Sequence, residues 1–277
     1  MTINCKGELV DLDTPKVMGI LNLTPDSFYD GGAYRDEATV LARVETMLDQ
    51  GATFIDMGAY SSRPGAEPIS EDEELRRMLP MLDLVLKHFP DIWVSIDTFR
   101  SKVAAAGVSH GAAMVNDISA GNLDPEMIAT VAELQVPYIM MHMRGDPKTM
   151  QSGTHYDDMI KEMGRYFSEK VQEAVSFKIN DIILDPGLGF SKTIQQNYTL
   201  LNHLDRFQVF ELPLLIGLSR KSMIYKVLES SPGEALNGST ALHAIALLRG
   251  ANIIRVHDVK EAMECVKLVE VLKANAL

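Results

Sequence analysis

The chain has 277 residues, 46% of them hydrophobic, enough to bury a substantial core. Its formal net charge of −12 argues against nonspecific binding to nucleic acid or to an anionic membrane, since both need a basic surface. No apolar run reaches the roughly 18 residues that span a bilayer, and the opening residues lack the basic-then-apolar order of a secretory signal. The two cysteines, Cys5 and Cys265, have no metal-ligand spacing, so a cytoplasmic chain with two ordinary thiols is expected.

Short apolar, β-branched runs alternate with longer amphipathic stretches. The first predicted strand is Val17–Leu21. A helix pattern follows over Ala38–Gln50, with Val40, Leu41, Val44, Met47 and Leu48 on one face and Gly51 at its end. The second strand is Thr53–Met57, followed by a helix over Glu71–Phe89 carrying Leu75, Met78, Leu79, Leu82 and Val85. Further strands are predicted at Ile92–Ile96, Ala113–Asn116, Pro137–Met141, Ile182–Leu184, Leu214–Gly217 and Asn252–Val256, and a last helix over Val259–Leu277. Eight strands, each followed by a helix, predict an α/β fold: one (β/α)8 TIM barrel spanning residues 1–277 as a single domain. A doubly wound open sheet is the alternative. Its Gly-x-Gly-x-x-Gly fingerprint is missing after the first strand, which runs instead into Asn22-Leu23-Thr24-Pro25-Asp26-Ser27-Phe28.

The functional signal lies at the strand ends. Asn22 goes with the first strand, Asp56 with the second, Asp97 with the third and Asn116-Asp117 with the fourth. His142 goes with the fifth, Asp185 with the sixth, Ser219-Arg220-Lys221 with the seventh and Arg255-x-His257 with the eighth. A single Asp in such a place is usually a helix cap or a turn residue. Turn chemistry does not require polar groups at every strand end, and in a barrel all eight ends meet at one mouth. Asp97, Asn116 and Asp185 have the donors and acceptors to read the edge of an amino-substituted heterocycle. Arg255 can stack on a flat ring, with Met141 on the other face. Arg63, Arg255, His257 and backbone amides suit a diphosphate, and Asn22 offers an oxygen suited to Mg²⁺.

These segments resemble the dihydropteroate synthases, the folate-biosynthesis enzymes of the pterin-binding barrel family. The resemblance covers nearly the whole chain. It runs through Met18-Gly19-Ile20-Leu21-Asn22 and Leu23-Thr24-Pro25-Asp26-Ser27-Phe28, then Ser62-Arg63-Pro64-Gly65, Ile96-Asp97-Thr98 and Val115-Asn116-Asp117-Ile118. It continues with Met141-His142-Met143, Asp185-Pro186-Gly187-x-Gly189-Phe190, Gly217-x-Ser219-Arg220-Lys221-Ser222 and Ile254-Arg255-Val256-His257-Asp258. It implies condensation of a dihydropterin methyl diphosphate with p-aminobenzoate, helped by Mg²⁺. Pterin contacts would come from Asp97, Asn116, Ile118, Met141, Asp185, Gly217, Lys221 and Arg255. The catalytic residues among these would be Asp97, Asp185, Lys221 and Arg255. Asn22, Asp56, Arg63, Arg255 and His257 would hold the diphosphate, with Asn22 as the metal contact. Ser62, Arg63, Pro64, Phe190, Ser219 and Lys221 would face p-aminobenzoate. Loops over Thr24–Arg35 and Ala59–Ile69 would close over substrate, and a homodimer is expected.

The chain departs from the family pattern in places. Ala59-Tyr60-Ser61-Ser62 stands where Gly-Glu-Ser-Thr is common, Phe99-Arg100 where Ser-Lys is frequent, and Leu188 where Phe is frequent. A corrinoid-linked pterin methyltransferase would share the Asp and Asn readers, but would have little use for Ser62-Arg63-Pro64 or Ser219-Arg220-Lys221. A degenerate, non-catalytic barrel predicts a lost Asp97, Asp185, Lys221 or Arg255, and all four are present. The Ser and His residues suit anion binding better than a Ser-His-Asp triad.

Overall fold

The structure is a computed structural model and describes residues 1–23, 33–61 and 67–275. It opens with an antiparallel hairpin of β1 (Thr2–Cys5) and β2 (Glu8–Asp11). The two-residue turn Lys6-Gly7 has positive φ at both positions, 55° and 90°, the geometry that matches strand twist in a tight hairpin. Buried Ile3, Cys5, Val10 and Leu12 alternate with exposed residues. This hairpin is absent from the sequence reading, because four residues of alternation are too short a signal against an irregular N-terminus.

Eight parallel strands follow: β3 (Lys16–Asn22), β4 (Phe54–Gly58), β5 (Trp93–Asp97), β6 (Met114–Asp117), β7 (Tyr138–Met141), β8 (Ile182–Asp185), β9 (Leu215–Ile216) and β10 (Ile253–Val256). Their order in the sheet is β8-β7-β6-β5-β4-β3-β10-β9. A parallel bridge between Leu184 and Leu214, with the Leu184 amide donating to the Pro213 carbonyl at 2.9 Å, joins β8 to β9 and closes the ring. The chain is a (β/α)8 barrel, as the alternation predicts. The seventh predicted strand contracts to Leu215–Ile216.

Helices α1 (Ala33–Asp49), α2 (Glu71–His88), α3 (Ser101–Ser109), α4 (Met127–Leu134), α5 (Met159–Ser176) and α6 (Ile194–Asn202) fall between successive barrel strands. After β9 come the single turn α7 (Ser222–Tyr225) and α8 (Leu236–Leu248), and α9 (Val259–Ala274) ends the fold. Local chemistry sets their starts. The Ser70 hydroxyl accepts from the Glu73 amide at the head of α2, whose first turn is acidic from Glu71 to Glu74. Thr193 and Gln196 form a reciprocal capping box on α6.

Side-chain parity sorts the strands into two cores. Val17, Leu21, Ile55, Met57, Val94, Ile96, Val115, Leu184, Ile216 and Ile254 join the helices in one large buried cluster. The alternate residues Met18, Phe54, Met114, Ile139, Ile183, Leu215 and Ile253 form a second cluster inside the barrel, and the hairpin residues Ile3, Cys5, Val10 and Leu12 pack onto it. The hairpin therefore plugs the N-terminal end of the barrel with apolar surface. Two residues further along each strand, the same inward parity brings Ile20, Asp56, Ser95, Asn116, Met141, Asp185, Gly217 and Arg255. The interior changes from apolar to polar toward the C-terminal strand ends.

Candidate active site

The polar layer sits within the strands. Asp56 and Arg255 lie inside β4 and β10, within the predicted strand bounds. Asp97, Asn116 and Asp185 are likewise in strands, at or near the ends of β5, β6 and β8. An inward side chain one layer below the rim faces the mouth from a rigid strand.

Arg255 is the centre of this layer. Its Nε bonds Asp56, and one terminal nitrogen donates to Asp97 Oδ2 at 2.5 Å. Asn116 donates its amide to the same Asp56 Oδ2 at 3.0 Å. One guanidinium thus faces two carboxylates. Burial, together with the neighbouring Asp56 charge, raises the Asp97 pKa to about 7, although Arg255 opposes the shift. Burial works against the Arg255 charge, but Asp56, Asp97 and Asp185 outweigh it and push that pKa above the ordinary value. Asp185 is also pushed up by burial, against the pull of Lys221.

The turn after β8 brings further groups to the mouth. The Asp185 carboxylate accepts from the Gly187 amide at 2.8 Å. Gly187 has φ +69°, and a Cβ there would stand 2.2 Å from the His142 carbonyl oxygen. Gly189 has φ +87°, and its Cβ would stand 2.9 Å from the Lys221 side chain. Only glycine satisfies both conditions at both positions. Lys221 donates to the Leu188 carbonyl at 2.5 Å and lies over the Phe190 ring, 4.6 Å from its centroid. Burial lowers its pKa to about 8.

Ile118, Met141, Met143 and Met150 make an apolar wall, with Phe99, Leu123 and Phe190 packed against it. On the other side, Ser219 accepts from the His257 amide at 3.2 Å, and its hydroxyl lies 3.1 Å from His257 Nδ1. Gly217 immediately follows β9. Asn22 ends β3 with a half-buried side chain and no hydrogen-bond partner among the described residues. Ser62, Arg63 and Pro64 lie outside the described residues, as does most of the predicted Thr24–Arg35 loop.

Two residues without an assigned role in the sequence reading prove central. Lys192 is buried, and its Nζ contacts three acceptors: Gly187 O and Phe190 O at 3.0 Å each, and His142 Nδ1 at 3.1 Å. Burial lowers the Lys192 pKa to about 7 and the His142 pKa to about 2. Because Lys192 donates to Nδ1, the neutral His142 ring carries its proton on Nε2. A lone lysine in a loop reads as surface, so no sequence pattern announces this pair. Other polar residues near the strand ends are structural. Asp117 accepts from Ser119, Gly121 and Tyr138, and Arg220 makes a two-point pair with Asp258.

Comparison with known proteins fits this geometry. The family model described as pterin binding enzyme matches residues 18–257. The dihydropteroate synthase of Escherichia coli is 43% identical over 272 residues, covering 98% of this chain and 96% of that protein. The chain belongs to the dihydropteroate synthases of the pterin-binding enzyme family. A solved Yersinia pestis dihydropteroate synthase in a sulfonamide drug complex superposes with a TM-score of 0.93 at 42% identity, covering 99% of this chain and 100% of that one. The Xanthomonas albilineans dihydropteroate synthase with 4-aminobenzoic acid gives 0.92 at 36% identity, covering 99% of each chain. In the dihydropteroate synthase described here, no helix among the described residues is long and apolar enough to cross a membrane.

Proposed function

We propose that this dihydropteroate synthase joins (7,8-dihydropterin-6-yl)methyl diphosphate to p-aminobenzoate with Asp97, Asn116, Asp185 and Arg255 as its pterin-reading core. One observation carries the assignment: Arg255 binds both Asp56 and Asp97, Asn116 binds the same Asp56, and Asp185 has the same inward parity, so polar side chains from five strands converge beside the wall of Ile118 and Met141. Their donors and acceptors suit the amino group, ring nitrogens and carbonyl of a pterin. The planar guanidinium of Arg255 can stack on the ring while its charge answers the diphosphate.

The reaction breaks the bond from the methylene carbon to the diphosphate oxygen, and the electron pair leaves with pyrophosphate. The amine nitrogen forms the new C–N bond and then loses a proton. We assign an early departure of pyrophosphate, with the cationic pterin held against Asp97 and Asp185. Lys221 and Phe190 form the wall for the aromatic amine, joined by Ser219 and, on the β4–α2 loop, Ser62, Arg63 and Pro64. His257 completes the diphosphate end, and Asp56 acts there through the Arg255 guanidinium that it binds. No covalent enzyme intermediate is needed, and neither Cys5 nor Cys265 has a part.

Asn22 suits Mg²⁺ in one respect: a neutral amide oxygen at a strand end, unclaimed by other described side chains. Among the described residues no cluster of three or more His, Cys, Asp or Glu is placed to hold a metal. That donor set fits an ion bound mostly by phosphate oxygens and water, as Mg²⁺ commonly is. When bound, it would neutralise charge on the leaving diphosphate.

Two buried, unpaired thiols favour the cytoplasm as the working compartment. Exposed Ile245 and Leu248 of α8 and Leu268, Val271 and Leu272 of α9 offer an apolar face that we assign to a homodimer seam. The barrel from residue 1 to 277 is taken as one functional unit.

A pyrophosphate-release assay with both substrates tests the activity. Release that requires both supports it. Release no faster than without enzyme, with pterin binding intact, would make this a binding protein.

A further inference from the structure

Tyr60, Phe99 and Arg100, which depart from the family pattern in sequence, are neighbours in space. The Tyr60 and Phe99 rings meet edge-to-face at 5.0 Å and 87°. The Arg100 guanidinium lies over both, 5.4 Å from the Tyr60 centroid and 5.2 Å from that of Phe99. Its nitrogens bond the Glu74 carboxylate and donate to the Ile69 carbonyl at 2.7 Å. Glu74, 1% exposed, also accepts from the Thr98 hydroxyl at 2.7 Å.

One side chain therefore touches both ends of the connection between β4 and α2. Tyr60 stands near its start, Ile69 near its end, and Glu74 one turn into the helix. Arg100 itself leaves β5 three residues after Asp97, and Phe99 packs against the wall of Ile118 and Met141. The contacts are directional: a planar fork shared between a buried carboxylate and a carbonyl, with two aromatic faces beneath it. Such a group fixes orientation as well as distance, and a lysine would reproduce only part of it.

We infer that Arg100 is a positioning residue for the amine substrate, setting both ends of the β4–α2 connection relative to Asp97 through Tyr60, Ile69 and Glu74. The inference rests on the proposed function, in which that connection contributes to the p-aminobenzoate face. The strand-borne pterin contacts Asp97, Asn116, Asp185 and Arg255 have their hydrogen bonds with groups other than Arg100, and Phe99, which packs on the Ile118 and Met141 wall, is left in place when Arg100 alone is replaced. The two substrates should therefore respond differently to its loss. Displacements well under the size of an atom can change turnover by orders of magnitude when they move a reacting group.

The experiment compares Arg100→Met, Arg100→Lys and Tyr60→Leu with the wild type. Steady-state kinetics give KM for p-aminobenzoate, and calorimetry gives the affinity for a pterin ligand. Expected for Arg100→Met is a rise in KM for p-aminobenzoate of about tenfold or more, with pterin affinity changed less than about twofold. Arg100→Lys should recover part of the loss. The double variant Tyr60→Leu with Arg100→Met should be little worse than Arg100→Met alone, since the two act through one contact. Hydrogen exchange gives a readout independent of turnover: amides near Tyr60 and Ile69 should exchange faster in Arg100→Met, while those of β6 and β7 stay unchanged. Should Arg100→Met fail to fold, Tyr60→Leu carries the same test with the Glu74 pair intact. An unchanged KM in a folded, active Arg100→Met protein overturns the inference, as does a parallel loss of both substrates. A wild-type protein that releases no pyrophosphate overturns the functional reading instead, and the exchange data then judge Arg100 alone.

Discussion

Arg255 and Asp97, 158 residues apart in the chain, are joined across the barrel mouth by an ion pair of 2.5 Å. Asp56 binds the same guanidinium, so the site holds one more carboxylate than that cation neutralises. The imbalance suits a pocket that receives a ring on its way to positive charge, because a cation arriving in substrate completes the pairing.

Replacing Asp97 with Asn keeps the shape and removes the excess charge. Pterin affinity should fall by about tenfold or more, the worth of a hydrogen bond to a charged group. Stability should change in the opposite sense. The folded-state pKa of Asp97 lies above the ordinary carboxylate value, so the unfolded chain ionises first as pH rises. Wild-type stability is therefore drawn down between about pH 4 and about pH 7, and the draw is constant above that. Urea denaturation at both ends of the window should find Asp97→Asn gaining on the wild type by on the order of 2 kcal/mol as pH rises. A difference independent of pH would show that Asp97 titrates as an ordinary carboxyl.

Lys192 holds the Asp185–Phe190 turn from beneath, and Lys192→Met removes the donor from three buried acceptors. Each orphaned acceptor costs about 1–3 kcal/mol, offset in part by no longer burying a charge. The sign of the pH dependence differs from that of Asp97. A lysine whose folded pKa is lowered to about 7 gives up its proton in the folded state while the unfolded chain keeps it. Wild-type stability attributable to Lys192 thus rises with pH above about 7. The variant should be within about 1 kcal/mol of the wild type near pH 6 and fall further behind near pH 9.5. A deficit that shrinks with rising pH would contradict the neutral-lysine picture.

The barrel was legible in sequence because each buried strand reads as an apolar run and each helix as a 3.6-residue stripe. Val17–Leu21 and Glu71–Phe89 fall within a residue or so of β3 and α2. The polar layer was legible because Asp56, Asn116, Asp185 and Arg255 recur at or near the C-terminal ends of those runs, and turn chemistry does not require a polar group at every strand end. Three features carry no such signal. The hairpin is too short, β9 is clipped at both ends, and Lys192 is a charged residue in a loop whose burial depends on acceptors from His142, just after β7, and the turn after β8. Contacts such as Arg100 with Ile69 and Glu74 join separate elements, and periodicity along one segment cannot report them.

Phe190 carries the Lys221 ammonium on its face and stands beside Gly189, whose φ of +87° strains any side chain. Phe190→Ala should raise KM for p-aminobenzoate by about tenfold, from lost ring contact and a freer Lys221, with a smaller fall in pterin affinity through Lys221 and the Ile118 and Met141 wall. Sulfonamides share the aniline of p-aminobenzoate, so their inhibition should be competitive with that substrate and weaken in parallel in the variant. Inhibition noncompetitive with p-aminobenzoate would move the amine site away from Phe190 and Lys221.

Asn22 offers a single neutral oxygen, so a metal there must take most of its ligands from diphosphate and water. Chelation should abolish pyrophosphate release, and added Mg²⁺ should restore it. Asn22→Ala should raise the Mg²⁺ concentration for half-maximal rate by about tenfold, within the range lost when one ligand or its support is removed. On the proposed arrangement, in which the ion reaches the protein chiefly through the diphosphate, calorimetry with Mg²⁺ alone should show weak binding to wild type and variant alike. Tight binding of Mg²⁺ without substrate would mean a donor set larger than Asn22, and full activity in chelator would remove the metal from the reaction.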